Sequence, residues 1–268
     1  VLDTSEPRNR FAPHSHGFFS RDGAPPLEML ATAREQLGAY RTVAIRNARA
    51  VGANKVDGGF DVELQSGDRL GARRLILAHG MVDDLSVLPP GAADCWGRSV
   101  FFCPYCHGFE FADRRLGLLL RHGDALMLAN LYREWSKDLT IFTDGAAIDD
   151  AVRQTLTGMG VKVIDDTVLA FEHEAGDLRA LATGGGSVAV DALFTHPPTR
   201  FATDIGVQLG CETKDGALGP FFATGEWKET SVEGVLAAGD LARPAPNVSF
   251  AVADGVAAGS FAHRSLLG

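Results

Sequence analysis

Residues 116–164 read LGLLLRHGDALMLANLYREWSKDLTIFTDGAAIDDAVRQTLTGMGVKVI, and their pattern decides the fold class. Three short apolar runs, 116–120, 139–142 and 161–164, are separated by two segments, 124–135 and 147–159, that read as helices. Runs without polar alternation are what strands buried on both faces look like. Strand and helix alternating through short connections predict a parallel, doubly wound α/β sheet.

Upstream, residues 1–3 read as the tail of a strand and 4–24 as a polar loop carrying His14 and His16. Residues 27–40 space Leu27, Leu30, Ala31 and Leu37 as a helix does, with Pro25-Pro26 as a start signal. Hairpin-like strands are expected at 43–51 and 60–65, then a buried strand at 73–78 that Gly80 stops. Pro89-Pro90-Gly91 marks a linker. Downstream, 167–170, 178–182 and 188–190 predict short antiparallel strands, 234–238 another buried strand, and 249–267 a long helix of small residues. Two nucleotide-fold pieces, one interrupting the other, fit this order best.

Composition narrows the class. Apolar residues at 46% and charged ones at 22% exclude disordered and collagen-like chains. No stretch approaches the roughly 20 uninterrupted apolar residues of a membrane helix, so no membrane partner is expected. A formal charge of −9 argues against nucleic acid as the main partner, since phosphate binding needs a basic surface. Four cysteines are too few for a disulfide-stapled secreted scaffold. Two stand together and Cys95 and Cys211 are isolated, which suits a reducing compartment; with no leader pattern visible, a cytoplasmic protein is expected.

The strongest local signal is Cys103-Pro104-Tyr105-Cys106-His107-Gly108. Two cysteines three apart at a helix start can close a small disulfide ring, and a helix N-terminus there stabilises a thiolate. His107 beside them is suited to moving thiol protons near neutral pH. The same letters also spell a haem-attachment motif, half of a zinc site, a glutaredoxin-type pair or two buried structural thiols. A zinc site would need two further ligands, which the spacing of Cys95 does not supply, and no metal is expected.

The flanking residues narrow the choice. Leu2-Asp3-Thr4-Ser5-Glu6-Pro7-Arg8-Asn9, His14-Ser15-His16-Gly17-Phe18, Trp96-Gly97-Arg98, residues 103–110, His196-Pro197-Pro198-Thr199-Arg200 and Ala237-Ala238-Gly239-Asp240 follow one another along the whole chain. In this the chain resembles the thioredoxin-reductase-like FAD-dependent disulfide oxidoreductases, in particular their dithiol-oxidase-like subgroup. The resemblance implies two Rossmann-like three-layer domains: a discontinuous FAD-binding domain at 1–84 and 198–268, and an inserted NAD(P)-binding-like domain at 85–197 carrying the cysteines. It implies that Cys106 faces the flavin, Cys103 exchanges with substrate and His107 acts as acid/base. It places Asp3 at the adenosine ribose of FAD, and Arg8, Asn9, His14 and His16 in a loop near the cofactor. Gly239 and Asp240 fall at the ribityl chain, and Ser249 at the start of a helix aimed at the flavin. A homodimer acting on a small-molecule dithiol or disulfide, or on a thioredoxin-like protein, is implied with them.

Three departures from that pattern stand out. The family opens with a strand, a G-x-G-x-x-G turn and a helix that cradle the FAD pyrophosphate, whereas this sequence joins the pattern in mid-strand, so a fragment missing that βα unit is expected. The inserted domain has Arg121-His122-Gly123-Asp124-Ala125 where a nicotinamide dinucleotide needs a glycine-rich turn, and Thr143-Asp144-Gly145 lacks arginines for a 2′-phosphate. NAD(P)H use is therefore doubtful. Ala78-His79-Gly80 replaces the Ala-Thr-Gly of the crossover. The reading is a dithiol oxidase passing electrons to FAD and then to oxygen or another acceptor. A nicotinamide-dependent thioredoxin-disulfide reductase and a flavin-free redox-sensing or scaffold protein are the alternatives.

Overall fold

The computed structural model describes residues 1–121 and 123–267; His122, in the degenerate nucleotide turn, and Gly268 lie outside the described residues. The chain starts with a single parallel bridge, Leu2 to Arg46, and a loop that leads to α1 (Pro26–Leu37). An antiparallel meander follows: β1 (Ala50–Val56), β2 (Gly59–Leu64) and β3 (Arg69–Ala72). The expected strand at 43–51 is displaced: pairing with β2 begins only at Ala50, and of residues 43–49 only Arg46 forms a bridge, the isolated one to Leu2. A hairpin needs a tight turn between its strands, and Asp57-Gly58 supplies one, with Gly58 at φ +75°. Next come β4 (Leu75–Leu77) and β5 (Met81–Asp83).

The middle of the chain runs α2 (Ala92–Cys95), β6 (Val100–Phe101), α3 (Pro104–His107), β7 (Leu116–Leu119), α4 (Ala125–Tyr132), β8 (Leu139–Phe142), α5 (Asp150–Gly158) and β9 (Lys162–Ile164). The meander β10 (Val168–Glu174), β11 (Asp177–Thr183) and β12 (Gly186–Ala189) precedes β13 (Ala192–Thr195). Strands β6, β13, β7, β8 and β9 lie in that order in an all-parallel sheet. Every residue of β7, β8 and β13 is buried, which is why their sequences are apolar but for Thr140 and Thr195. On one face Leu118 and Ile141 pack with Leu128, Tyr132 and Leu156 of the helices. On the other, Leu119 and Phe142 pack with Phe171, Leu178 and Leu181 of the meander. Helices, sheet and meander make three layers.

The chain then returns through β14 (Thr199–Phe201), α6 (Ile205–Gln208), β15 (Thr213–Gly216), β16 (Gly219–Phe222), β17 (Val235–Ala237) and α7 (Val248–Arg264). β14 pairs antiparallel with β5, and β17 pairs parallel with β4. Phe60, Val62, Leu77, Phe201, Phe222 and Val235 join the first meander to these returning strands in one core. α7 seats Ala258 and Ala262 on Leu236 and Ala238, so its small residues allow close helix–sheet approach. The parallel register of β4 and β17 brings Ala78-His79-Gly80 and Ala238-Gly239-Asp240 side by side beyond the carboxyl ends of the strands. In open α/β sheets that is where ligands bind.

Candidate functional site

Cys103 and Cys106 form a disulfide with Cα atoms 5.3 Å apart. Cys103 is the N-cap of α3, and the Cys106 N–H donates to the Cys103 carbonyl at 3.3 Å. The helix expected to polarise the pair is a single turn, Pro104–His107, ended by the Gly108 N–H donating to the Pro104 carbonyl at 2.7 Å. Its macrodipole is therefore small and offers little stabilisation to a thiolate. Cys95 and Cys211 are buried free thiols. Burial pushes both thiols up in pKa, against the pull of Ser99 and Thr230 respectively, which makes them poor nucleophiles.

His107 stacks on Phe101, ring centroids 4.4 Å apart, and its side chain is 13% exposed. Burial holds its pKa below the usual imidazole value. Glu110 pulls it up, while His16 and His14 push it further down. Glu110 accepts from both neighbours: His107 Nδ1 lies 3.1 Å from Oε2 and His16 Nε2 2.9 Å from Oε1. The N-terminal loop thus reaches across 94 residues of sequence to the cysteine segment. His14 sits beside it, its ring 6.4 Å from that of His16 and its Nδ1 against the Gly23 carbonyl. Glu110 escaped the sequence reading as a site residue, although its place three after His107, one helical turn on, was the available signal.

The remaining expected residues fall into two groups. Arg8 forms ion pairs with Asp83 and, at 3.2 Å, Asp240, and lies over the Phe102 ring at 4.9 Å. Asn9 donates to Ser15 Oγ. Gly239 adopts φ 81°, ψ −153°, a region essentially closed to other residues, and its N–H donates to buried Asp254. Ser249 Oγ donates to the Gly17 carbonyl at 3.4 Å, joining the start of α7 to the histidine loop. Asp3 lies apart from this cluster, held by Arg34 and by the Ser5 N–H at 2.9 Å. Asp83, Asp254 and Arg34 were not anticipated, because isolated charged residues carry no periodic signal.

A flavin dinucleotide suits these groups. The Asp3 and Asp240 carboxylates can accept from ribose and ribityl hydroxyls in addition to their present donors. The backbone at Gly80, beside the strand ends, is open: a Cβ placed there would meet nothing within 4 Å. The turn after β7 differs. Asp124 caps α4, accepting from the Leu126 and Met127 N–H groups at 2.8 and 3.0 Å, where a pyrophosphate would bind. Arg121 reaches across to Asp144 at 3.2 Å, and Asp144 also accepts from the Val168 N–H. Among the described residues no group of three or more His, Cys, Asp or Glu could hold a metal ion, and no helix is long and apolar enough to cross a membrane.

Fold and site together define an α/β oxidoreductase that carries a Cys-x-x-Cys disulfide beside a parallel, nucleotide-type sheet. No family profile matches the chain. It is 31% identical over 289 residues to the thioredoxin reductase sirT of Leptosphaeria maculans, spanning all of this chain and 86% of that one. An oxidoreductase structure from Agrobacterium tumefaciens superimposes with a TM-score of 0.92 at 38% identity, covering 99% of this chain and 89% of that one. A putative thioredoxin reductase from Bacillus anthracis gives a TM-score of 0.92 at 26% identity with the same coverage. The chain belongs to the thioredoxin-reductase-like family of FAD-dependent disulfide oxidoreductases.

Proposed function

We propose that the protein oxidises a small-molecule dithiol through Cys103 and Cys106, working from a discontinuous FAD-binding domain, 1–84 and 198–268, around an inserted domain, 85–197. A substrate thiolate attacks the Cys103 sulfur, breaking the bond to Cys106. The second substrate thiol then attacks the mixed disulfide, releasing the substrate as its own disulfide and leaving two reduced cysteines. His107 takes the proton of the attacking thiol and returns one to the Cys106 sulfur. FAD, when bound, supplies the two-electron acceptor that restores the Cys103–Cys106 bond, and oxygen, reduced to hydrogen peroxide, is the terminal acceptor we favour.

Asp3 would hold the adenosine ribose, Gly239 and Asp240 the ribityl chain, and Arg8, Asn9, His14 and His16 the loop wall. The start of α7 at Ser249 would face the ring. Tyr105 and Phe109, 76% and 86% exposed, flank Cys106 in sequence and offer apolar contact to a substrate. The observation that carries the oxidase direction is the filled crevice: Asp124 occupies the helix start and Arg121–Asp144 spans the strand ends, opposing a nicotinamide dinucleotide. The name of the Leptosphaeria relative, a thioredoxin reductase, supports the other direction, reduction of a thioredoxin disulfide.

Oxygen consumption by flavin-loaded protein given dithiothreitol separates the two. Turnover with dithiol and no nicotinamide is expected, and Cys103→Ser and Cys106→Ser should each abolish it with flavin still bound. Rapid bleaching of the flavin by NADPH or NADH alone would reverse the direction, and activity surviving both substitutions would make the pair structural.

A further inference from the structure

Resting on that thiol–disulfide reading, we infer that Glu110 is a positioning residue: it fixes the tautomer of His107 and balances the charge formed there, with His16 clamping it from the far side. A carboxylate only accepts hydrogen bonds, so the His107 nitrogen facing Glu110, Nδ1, carries the N–H. The proton-accepting lone pair is then on Nε2. When a substrate thiol gives its proton to Nε2, the imidazolium that results already donates to a carboxylate, and its positive charge lies against a negative one. Handing the proton on to the Cys106 sulfur, as the disulfide breaks, returns His107 to the same neutral tautomer. An acid, a histidine and a sulfur nucleophile in this order share the logic of hydrolytic triads, reached on an unrelated fold.

The second carboxylate oxygen is what makes the arrangement specific. Glu110 sits on the short 3₁₀ turn Phe109–Phe111 that follows α3 and could swing between rotamers, but Oε1 is taken by His16 Nε2 at 2.9 Å. His16 is itself backed by Asp22, whose Oδ2 lies 3.5 Å from Nδ1 and whose Oδ1 accepts from the Gly17 N–H at 2.8 Å. The Gly17 N–H and then His16 hold the Asp22 carboxyl below the usual carboxylate range, so it stays an anion. The groups whose charge acts on His107 are Glu110 from its own segment and His16 and His14 from the N-terminal loop, with Phe101 covering the ring face. Glu110 is the group among these that favours the imidazolium.

The test combines the pH dependence of single-turnover exchange between flavin-loaded protein and dithiothreitol with ¹⁵N NMR of the His107 ring. Glu110→Gln keeps the shape but removes the charge. It should slow exchange roughly ten- to hundredfold, short of the roughly 10²–10⁴-fold that acid–base catalysis supplies in full. It should also move the acid limb to lower pH, because the group that raises the His107 pKa is gone. Glu110→Asp should recover part of the rate, and wild-type His107 should be the Nδ1–H tautomer. A slower Glu110→Gln protein with an unmoved pH profile would reduce Glu110 to a strut and overturn the inference, as would an Nε2–H tautomer in the wild type. Failure of the wild-type protein to exchange with dithiol at all would instead bring down the proposed function.

Discussion

His79 shows how one side chain's environment sets a pH dependence. It follows β4 at the crossover, half-buried edge-on to Phe201, with Nδ1 near the Gly80 carbonyl and Nε2 without a partner among the described residues. Burial pulls its pKa down to about 4, against weaker upward pulls from Gly80 and Asp204. An unfolded histidine titrates near ~6.5, so between those values the unfolded chain binds more protons and folding weakens as pH falls. The loss assigned to this residue is about 2 kcal/mol between pH 7 and pH 5. Urea unfolding at the two pH values checks it: His79→Gln should lose less stability than the wild type by roughly that difference. Equal losses in both proteins would show that His79 is solvated in the native state.

At the scale of elements, α3 depends on Gly108. A Cβ there would stand 2.6 Å from the Pro104 carbonyl and 2.8 Å from the Trp135 ring, neither of which is a flexible side-chain end. Gly108→Ala must therefore shift the turn that carries both cysteines, at about 1–3 kcal/mol for overpacking. The expected result is a lowered thermal midpoint together with altered reaction of the reduced pair toward a thiol reagent. Unchanged values of both would mean that Trp135 yields instead. The strands followed their apolar runs closely: 116–120 became Leu116–Leu119, and 234–238 became Val235–Ala237. Helices came out shorter than their patterns, α4 ending at Tyr132 and α5 starting at Asp150, because helix ends are set by caps and tertiary contacts rather than by apolar spacing.

Across the whole molecule, Arg8 ties together parts distant in sequence. It bonds Asp83 at the end of β5 and Asp240 after β17, and it covers Phe102, the residue before Cys103. The side chains of Arg8, Asp83 and Asp240 are only 17%, 8% and 19% exposed, so removing the cation leaves two poorly solvated carboxylates facing each other. Arg8→Met should cost about 3 kcal/mol in urea unfolding, the range for breaking a buried ion pair from one side. A cost near zero would place the trio in solvent. Asp83 gives no hint of this role in sequence; only the antiparallel pairing of β5 with β14, more than a hundred residues on, fixes its place.

The sequence by itself determined the α/β class, the family and the redox pair, because burial on both faces forces unbroken apolar strands and a Cys-x-x-Cys is closed by local geometry alone. It also exposed the altered nucleotide turn, since Asp124 caps its helix through residues two and three further on. Tertiary structure alone decided that Glu110 stands between His107 and His16, and that Arg8 meets Asp83 and Asp240. His107 lies only three residues before Glu110, but His16, Asp83 and Asp240 lie 94, 75 and 232 residues from their partners, and a charged side chain carries no periodicity that announces so distant a mate. Only the folded chain, by removing these groups from water, makes each pairing necessary.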